Sequence, residues 1–335
     1  MITDARVMQD EFVPRDVVHR DPQVRALTRT LEPIIDGYRS DGASLHGKSG
    51  TGKTCIARFA VDRLRQNTFD VEAVYVNTWE HYTRFKALYQ ILDGINKAID
   101  IHRQSTPRDV LLDRLKDRDG PPMVVILDEI DQLEDKDLLY DLHTVKDLTP
   151  ILIANDHREV FAELDDRVQS RMNGVNEIKF DRYGVDELTS ILQDRVHWGL
   201  EPGVISDDQL YDIADHAAGD ARTAIGILRN AAKQAQQQCT DTITDDLITD
   251  AVPETRDGIQ QTNLDRLTPH QRVLFGIIND AGRISPSDLY DRYTSEVDNP
   301  KSNRTVRNYL KKMERYELVG SDGKTRDRLY KITNS

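Results

Sequence analysis

Apolar and polar positions follow two different periods along the first half of the chain. Residues 22–38 repeat apolar side chains every three or four positions, which predicts an amphipathic helix. Short branched apolar runs follow, typical of strands buried on both faces. The predicted strands cover residues 43–46, 71–77, 123–127 and 149–154, with predicted helices at residues 55–64 and 138–148. Because these strands alternate with helices, we expect an α/β fold with a parallel sheet flanked by helices.

Beyond residue 182 the pattern is helical. Helices are predicted at residues 185–200, 207–218, 221–238 and 244–251, which together indicate an all-helical lid. Residues 253–262 are polar, contain Gly258, and are the best candidate for a linker.

The last segment has the order helix, helix, helix, hairpin, at residues 269–280, 286–293, 302–316, 318–320 and 329–332. With a tight turn at Asp322 and Gly323, this order predicts a winged helix-turn-helix. In its third helix Val306, Leu310 and Met313 share an apolar stripe. We expect the basic and amide side chains on the other faces and in the loop to contact DNA: Arg304, Arg307, Asn308, Lys311, Lys324, Arg326 and Arg328. A protein-binding module and a merely solvated basic helix are the alternatives.

The pattern therefore predicts three domains, at residues 1–181, 182–256 and 263–335. Net charge supports a distinct last domain: residues 262–335 carry 14 Lys and Arg against 10 Asp and Glu, whereas the whole chain of 335 residues has a net charge of −13. The acidic remainder, rich in Arg, is typical of a protein adapted to concentrated salt or of an ordinary acidic protein. No apolar run is long enough for a membrane helix, and no secretory signal is evident, so we expect a cytoplasmic protein. Cys55 and Cys239 are predicted to be buried, reduced thiols.

Residues 47–54 fit the phosphate-loop pattern G-x-x-x-x-G-K-[ST]. Backbone N–H groups of such a loop surround phosphates, Lys53 supplies a charge for the β and γ groups, and Thr54 can ligate Mg²⁺. Asp128 and Glu129 close a predicted strand; Asp128 would hold the metal through water, and Glu129 would polarise the attacking water. Asn155 ends the next strand, where it can orient that water, although an Asn that only starts a turn is the alternative.

Two arginines are further candidates. Asp220 is predicted to cap the helix that carries Arg222. At the start of that helix, the Arg222 guanidinium could reach the β and γ phosphates. Arg167, with Arg171 as a second choice, lies where an arginine can act on the nucleotide of a neighbouring subunit. A surface salt bridge is the alternative for each.

These motifs resemble those of the AAA+ ATPases, and specifically of the archaeal origin-recognition and helicase-loading initiators. The similar segments are residues 12–15 and 19–21, 127–133 and 138–142, 180–183, 191–195, and 219–225 with 228–229. The resemblance implies that Asn155 is sensor 1, that Arg222 is sensor 2, and that Arg167 is a better candidate for the arginine finger than Arg171. It also implies that Tyr183 and Ile191 line the adenine. The nucleotide site predicted in this way comprises Val13, Pro14, Arg20, Gly47, Lys48, Ser49, Gly50, Thr51, Gly52, Lys53, Thr54, Cys55, Tyr183, Ile191 and Arg222.

More than 40 residues separate the strand at 71–77 from the strand at 123–127, more than a minimal crossover needs. The resemblance implies a helical insertion that touches DNA there, with Arg103 and Gln104 as its contacts. An ordinary loop before a helix that starts at Thr106 and Pro107 is the alternative.

The resemblance implies an ATP-dependent replication initiator, haloarchaeal in character, that binds double-stranded origin DNA and recruits or loads the replicative helicase. It would use ATP or ADP with Mg²⁺, hydrolyse ATP slowly as a switch, self-associate on DNA, and reside at the nucleoid without a membrane partner. A winged-helix regulator that binds ATP and an AAA+ adaptor for transposition or repair remain alternatives, as does a plasmid-borne rather than chromosomal role.

Overall fold

The computed structural model describes residues 1–68, 70–102, 106–156, 160, 164–172, 174–323 and 328–333. These residues form two compact units, Met1–Thr244 and Asp245–Ser335. In the described part of the chain, no helix is both long and apolar enough to cross a membrane.

A five-stranded parallel sheet forms the centre of the first unit, with the strand order β2-β3-β4-β1-β5. The strands are β1 (Ala43–Gly47), β2 (Glu72–Asn77), β3 (Met123–Asp128), β4 (Leu148–Ala154) and β5 (Asn176–Phe180). Around them lie α1 (Asp21–Ile35), α2 (Lys53–Asn67), α3 (Arg84–Gly94), α4 (Arg108–Lys116), α5 (Asp137–Thr144) and α6 (Asp166–Met172). The predicted α/β fold with a parallel sheet is confirmed.

Alternate side chains of each central strand enter different cores. On β3, Met123, Val125 and Leu127 belong to the core that includes α3, α4 and α5. Val124 and Ile126 belong to the core that includes α1 and α2. Since β3 and β4 are buried along their whole length, every position on them can be apolar, which explains their unbroken apolar runs.

The helical remainder of the first unit consists of α7 (Val185–Gly199), α8 (Asp207–His216) and α9 (Ala221–Gln237). Each matches a predicted lid helix to within two residues at either end. Two arginines of these helices hold the N-terminal segment: Arg195 donates to the Val7 carbonyl and stacks on Phe12 at 4.6 Å, and Arg229 donates to the Met8 carbonyl at 3.3 Å.

The second unit begins with α10 (Asp245–Asp265), which runs through the predicted linker. The linker prediction at residues 253–262 is therefore wrong. Gln260 donates to the Thr333 carbonyl at 2.8 Å and Asn263 to the Tyr316 carbonyl at 3.5 Å, so the polar residues of this segment include packing contacts of a helix. The prediction of three domains with boundaries at 181 and 256 stays a prediction.

Helices α11 (Pro269–Ala281), α12 (Pro286–Glu296) and α13 (Asn303–Arg315) follow, with strands β6 (Arg283–Ile284), β7 (Val319–Asp322) and β8 (Leu329–Ile332). The strands form an antiparallel sheet in the order β6-β8-β7. This is the helix, helix, helix, hairpin order that the sequence predicts. Asp322 pairs with Leu329, and the tight turn predicted at Asp322 and Gly323 leads into residues 324–327, which lie outside the described residues.

Two local expectations need correction. Cys239 is exposed, because it lies just beyond α9 in a left-handed turn, with φ of 55°. Cys55 is only partly buried. The helix predicted at residues 138–148 ends at Thr144, since Leu148 already pairs with Met123 in the sheet.

Candidate functional site

The phosphate-loop residues connect β1 to α2 at the carboxyl end of the sheet. Gly50 and Gly52 have φ of 70° and 88°, which favour glycine. A Cβ at Gly52 would lie 2.5 Å from the Tyr183 hydroxyl, and one at Gly47 would lie 2.1 Å from the Phe180 carbonyl oxygen. The loop is therefore packed so closely that these positions require glycine.

The Lys53 ammonium lies inside this loop. Its Nζ donates to the carbonyls of Gly47 at 2.6 Å and Lys48 at 2.7 Å, and to Asn155 Oδ1 at 3.4 Å. Burial lowers the pKa of Lys53 to about 8, although Asp128, Asp131 and Glu129 oppose this shift. The sequence-predicted Lys53 and Asn155 thus meet at one point.

The Asp128 carboxylate accepts two hydroxyl hydrogen bonds. Thr54 Oγ1 donates to Asp128 Oδ2 at 2.7 Å, and the Tyr75 hydroxyl donates to the same oxygen at 3.0 Å. Burial and the neighbouring Asp128 raise the pKa of Tyr75, so the phenol stays a donor. Tyr75 was missed by sequence reasoning, although its place on β2, beside the strand that ends in Asp128, was a signal.

The backbone beyond Asp128 is shaped by neighbouring groups. Glu129 has φ of 59°, and a short 3-10 helix, Ile130–Gln132, follows it. Asp131 Oδ1 accepts the Asn155 N–H at 3.3 Å. This bond joins the segment after β3 to the end of β4, so Glu129 and Asn155 are held at the same edge of the sheet as the phosphate loop.

The start of α9 lies on the phosphate loop. The Ala221 N–H donates to the Gly50 carbonyl at 3.0 Å, and a Cβ at Gly50 would lie 2.0 Å from Asp220 Oδ1. Asp220 caps α9 by accepting the Thr223 N–H at 3.0 Å, as predicted. Arg222 is close enough to lower the pKa of Lys53. The lid helix therefore contacts the loop that the sequence assigns to phosphates.

Arg20 and Tyr183 pack together beside the loop. The Arg20 guanidinium lies 3.9 Å from the centre of the Tyr183 ring and donates to the Asp181 carbonyl at 2.7 Å. Both side chains are buried. Burial raises the pKa of Tyr183 and of the Cys55 thiol. Val13, Pro14 and Ile191 are half-buried.

The residues at this edge of the sheet fit the Mg²⁺ ion and the phosphates that the sequence predicts there. Thr54 and Asp128 present hydroxyl and carboxylate oxygens within 2.7 Å of each other, the ligand type that Mg²⁺ prefers. The glycines keep the loop free of side chains where backbone N–H groups would surround phosphates.

The predicted DNA contacts on α13 are exposed, whereas Val306, Leu310 and Met313 are buried as predicted. The start of α13 is fixed by Tyr293, whose buried hydroxyl accepts the Lys301 N–H at 3.0 Å and contacts His270 Nδ1 at 2.8 Å. Arg328 stacks on Tyr330 at 5.8 Å. Arg103, Gln104, Lys324, Arg326 and the side chains of Arg167 and Arg171 lie outside the described residues.

Two curated proteins of Halobacterium salinarum are similar to nearly the whole chain. "ORC1-type DNA replication protein 9" is 49% identical over 100% of this chain and 95% of its own length. "ORC1-type DNA replication protein 1" is 54% identical over 92% of this chain and 100% of its own length. The chain belongs to the ORC1-type DNA replication protein family.

Family models and a solved structure agree with this ORC1-type membership. Residues 40–160 match an AAA domain, and residues 189–252 match a Cdc6 AAA+ ATPase-type lid domain. The Aeropyrum pernix ORC1 protein, solved in complex with DNA, is similar with a TM-score of 0.77 and 26% identity over 100% of this chain and 94% of that one. The predicted family is confirmed, and this ORC1-type protein is an AAA+ ATPase.

Proposed function

We propose that this protein is an ATP-dependent initiator of DNA replication that binds double-stranded origin DNA and helps to recruit or load the replicative helicase. One observation carries the proposal: a chain with Lys53, Thr54 and Asp128 gathered at one sheet edge also carries an exposed basic helix, α13. The names of its relatives, and an Aeropyrum ORC1 structure that contains DNA, support the same function.

ATP would lie between the phosphate loop and the lid. Lys53 exchanges its carbonyl partners for the β and γ phosphates, and Arg222 adds a second positive charge from α9. The adenine would pack among Val13, Pro14, Arg20, Tyr183 and Ile191. Lys48, Ser49 and Thr51 of the loop and Cys55 on α2 complete the predicted contacts.

Hydrolysis would use the edge formed by β3 and β4. Glu129 accepts the proton of the attacking water, and Asn155 orients that water toward the γ-phosphate. Bound at Thr54 and Asp128, Mg²⁺ would supply charge neutralisation for the phosphates. Arg167, on α6, is proposed to act on the nucleotide of a neighbouring copy when the protein self-associates on DNA.

Slow turnover suits such a protein. The lid contacts the loop through Ala221 and Asp220. A nucleotide that binds one lid arrangement better than another shifts the population between them by its difference in affinity. ATP would therefore act as a switch rather than as fuel for continuous motion.

DNA binding would use Arg304, Arg307, Asn308 and Lys311 on α13, Lys324, Arg326 and Arg328 in the wing, and Arg103 and Gln104 in the insertion. Basic side chains bind phosphates through counterion release, and amides and guanidinium groups read base edges. We place this activity in the cytoplasm, at the nucleoid.

Footprinting with and without ATP on DNA that flanks the protein's own reading frame tests the proposal. We expect ATP-sensitive protection of repeated elements near that frame. Lys53→Ala should lose ATP binding at least tenfold yet keep DNA affinity, since α13 is unchanged, whereas Lys233→Ala, at an exposed lysine of α9, should behave as the wild type. Protection confined to promoters would favour a regulator, sequence-independent coating would favour an adaptor, and normal ATP binding by Lys53→Ala would contradict the site.

A further inference from the structure

Glu129 has a backbone conformation that side-chain-bearing residues seldom adopt. Its φ of 59° and ψ of 44° lie in the left-handed region. A residue stays in that region only where contacts with its surroundings hold the backbone there. Such positions cluster at functional sites. Something next to Glu129 must therefore hold this turn.

Thr78 is placed to do so. It follows the last residue of β2, and its side chain is fully buried. Its hydroxyl lies 2.8 Å from the Asp128 carbonyl oxygen and 2.6 Å from the Glu129 carbonyl oxygen, and its N–H donates to the Asp128 carbonyl at 2.9 Å. The single hydroxyl proton is thus shared between the carbonyls on either side of the Glu129 Cα.

These contacts act on the two torsions that aim the Glu129 side chain. The Asp128 carbonyl belongs to the peptide that sets φ of Glu129, and the Glu129 carbonyl belongs to the peptide that sets ψ. A donor that binds both carbonyls fixes the direction of the Cα–Cβ bond. A misplacement of a reacting group by about 1 Å can cost a hundredfold in rate.

We propose that Thr78 is a positioning residue for ATP hydrolysis, whose hydroxyl holds the left-handed turn that aims the Glu129 carboxylate at the attacking water. The inference rests on the proposed role of Glu129 as the group that polarises water. In this role Thr78 acts through the backbone of Glu129 rather than by binding the nucleotide or the attacking water.

The hydroxyl can be removed with little change in the rest of the fold. Each carbonyl keeps a second donor, the Thr78 N–H for Asp128 and the Gln132 N–H at 2.8 Å for Glu129. Thr78→Val preserves the branched shape, and Thr78→Ser preserves the hydroxyl. Thr149→Val is the matched control, because Thr149, on β4, is likewise a buried threonine, and its hydroxyl lies 3.4 Å from the Ser40 carbonyl.

We expect Thr78→Val in the full-length protein to lower kcat about 10- to 100-fold, because a reacting group misplaced by about 1 Å can cost about a hundredfold in rate. The KM and the ATP dissociation constant should change less than about twofold, since the phosphate loop is untouched. Thr78→Ser should recover kcat to within about threefold, and Thr149→Val should hydrolyse ATP like the wild type.

A double-mutant cycle separates positioning from general stability. In a Glu129→Gln background, Thr78→Val should lower the residual rate no further, because the group that Thr78 aims is gone. Additive losses, a wild-type kcat in Thr78→Val, or a failure of Thr78→Ser to recover kcat would overturn the inference. If Thr78→Val does not fold, Thr78→Ala enters the same cycle. A wild-type rate for Glu129→Gln would instead refute the proposed role of Glu129.

Discussion

The buried Lys53 ammonium donates to two carbonyl oxygens of the phosphate loop, and its burial gives the site a measurable protonation signature. Burial lowers the pKa of Lys53 to about 8. A bound polyphosphate adds negative charge beside the amine and raises its pKa again. Above pH 8 the free protein carries partly neutral Lys53, and the ATP complex carries the charged form. ATP binding should therefore take up a proton as pH rises through about 8.

Titration calorimetry in buffers of different ionisation enthalpy measures this proton. At pH 9 we expect an uptake of roughly half a proton or more per ATP, because an amine with a pKa near 8 is then mostly neutral. At pH 7 the Lys53 contribution should be close to zero. Lys53→Arg serves as the control, since a guanidinium stays protonated throughout this range. The same uptake in Lys53→Arg would assign the proton to another group.

Among the secondary-structure elements, the strands that are buried on both faces are the easiest to predict from the sequence. β3 and β4 are buried along their whole length, so their apolar runs stand out. β5 was missed because only Ile178 and Phe180 of its five residues are buried at the sheet edge. The linker prediction was wrong because the segment is a helix whose polar residues mostly lie on the exposed face. A helix with only one buried stripe can have the same polar composition as a linker.

The residues of the site also divide into those that the sequence predicts and those that only the folded structure reveals. Lys53 and Thr54 belong to one contiguous sequence motif, and Asp128 and Glu129 belong to another. Both motifs can be recognised in the sequence, because neighbouring residues build the phosphate loop and the end of the strand. Tyr75 and Thr78 carry no motif, and their roles follow from strand pairing that brings Asn77 beside Asp128. Arg195 and Arg229 were noted only as part of family motifs, and their hold on the N-terminal segment appears only once the chain is folded.

The contact between α9 and the phosphate loop leads to a prediction at Gly50. Gly50→Ala combines a left-handed backbone, φ 70°, with a Cβ directed at the Asp220 carboxylate. The loop must move, so we expect ATP affinity to fall about tenfold or more, equivalent to roughly 1.4 kcal/mol. Fluorescent-nucleotide binding measures the loss.

Gly37→Ala is the matched control, because Gly37 has φ of 78° but no atom of the described residues lies within 4 Å of its Cβ position. It should cost about 1 kcal/mol of folding stability and leave ATP affinity unchanged. In Gly50→Ala, the second change Asp220→Ala removes the obstructing carboxylate and should restore part of the affinity. Equal ATP affinities for Gly50→Ala and Gly37→Ala would show that α9 does not constrain the loop.

At the scale of the whole molecule, charge is divided unevenly along the chain. The protein has a net charge of −13, yet residues 262–335 carry more Lys and Arg than Asp and Glu. A duplex is repelled by an acidic surface and attracted by a basic one, so binding should depend on a small set of cations. On α13 these cations are exposed and lie opposite the buried stripe of Val306, Leu310 and Met313.

The salt dependence of DNA binding by the full-length protein counts those cations. Each side chain that neutralises a phosphate contributes about 0.9 to the slope of log K against log salt. Arg304→Ala, Arg307→Ala and Lys311→Ala should each weaken binding and, where the side chain contacts a phosphate, lower the slope by about one. A side chain that reads a base should instead relax sequence preference with little change in slope, because base hydrogen bonds release few ions. Lys233→Ala, an exposed lysine of the first unit, should change neither quantity. If all three α13 variants bind with wild-type affinity and slope, the basic face of α13 does not meet DNA, and the duplex must be held elsewhere on the chain.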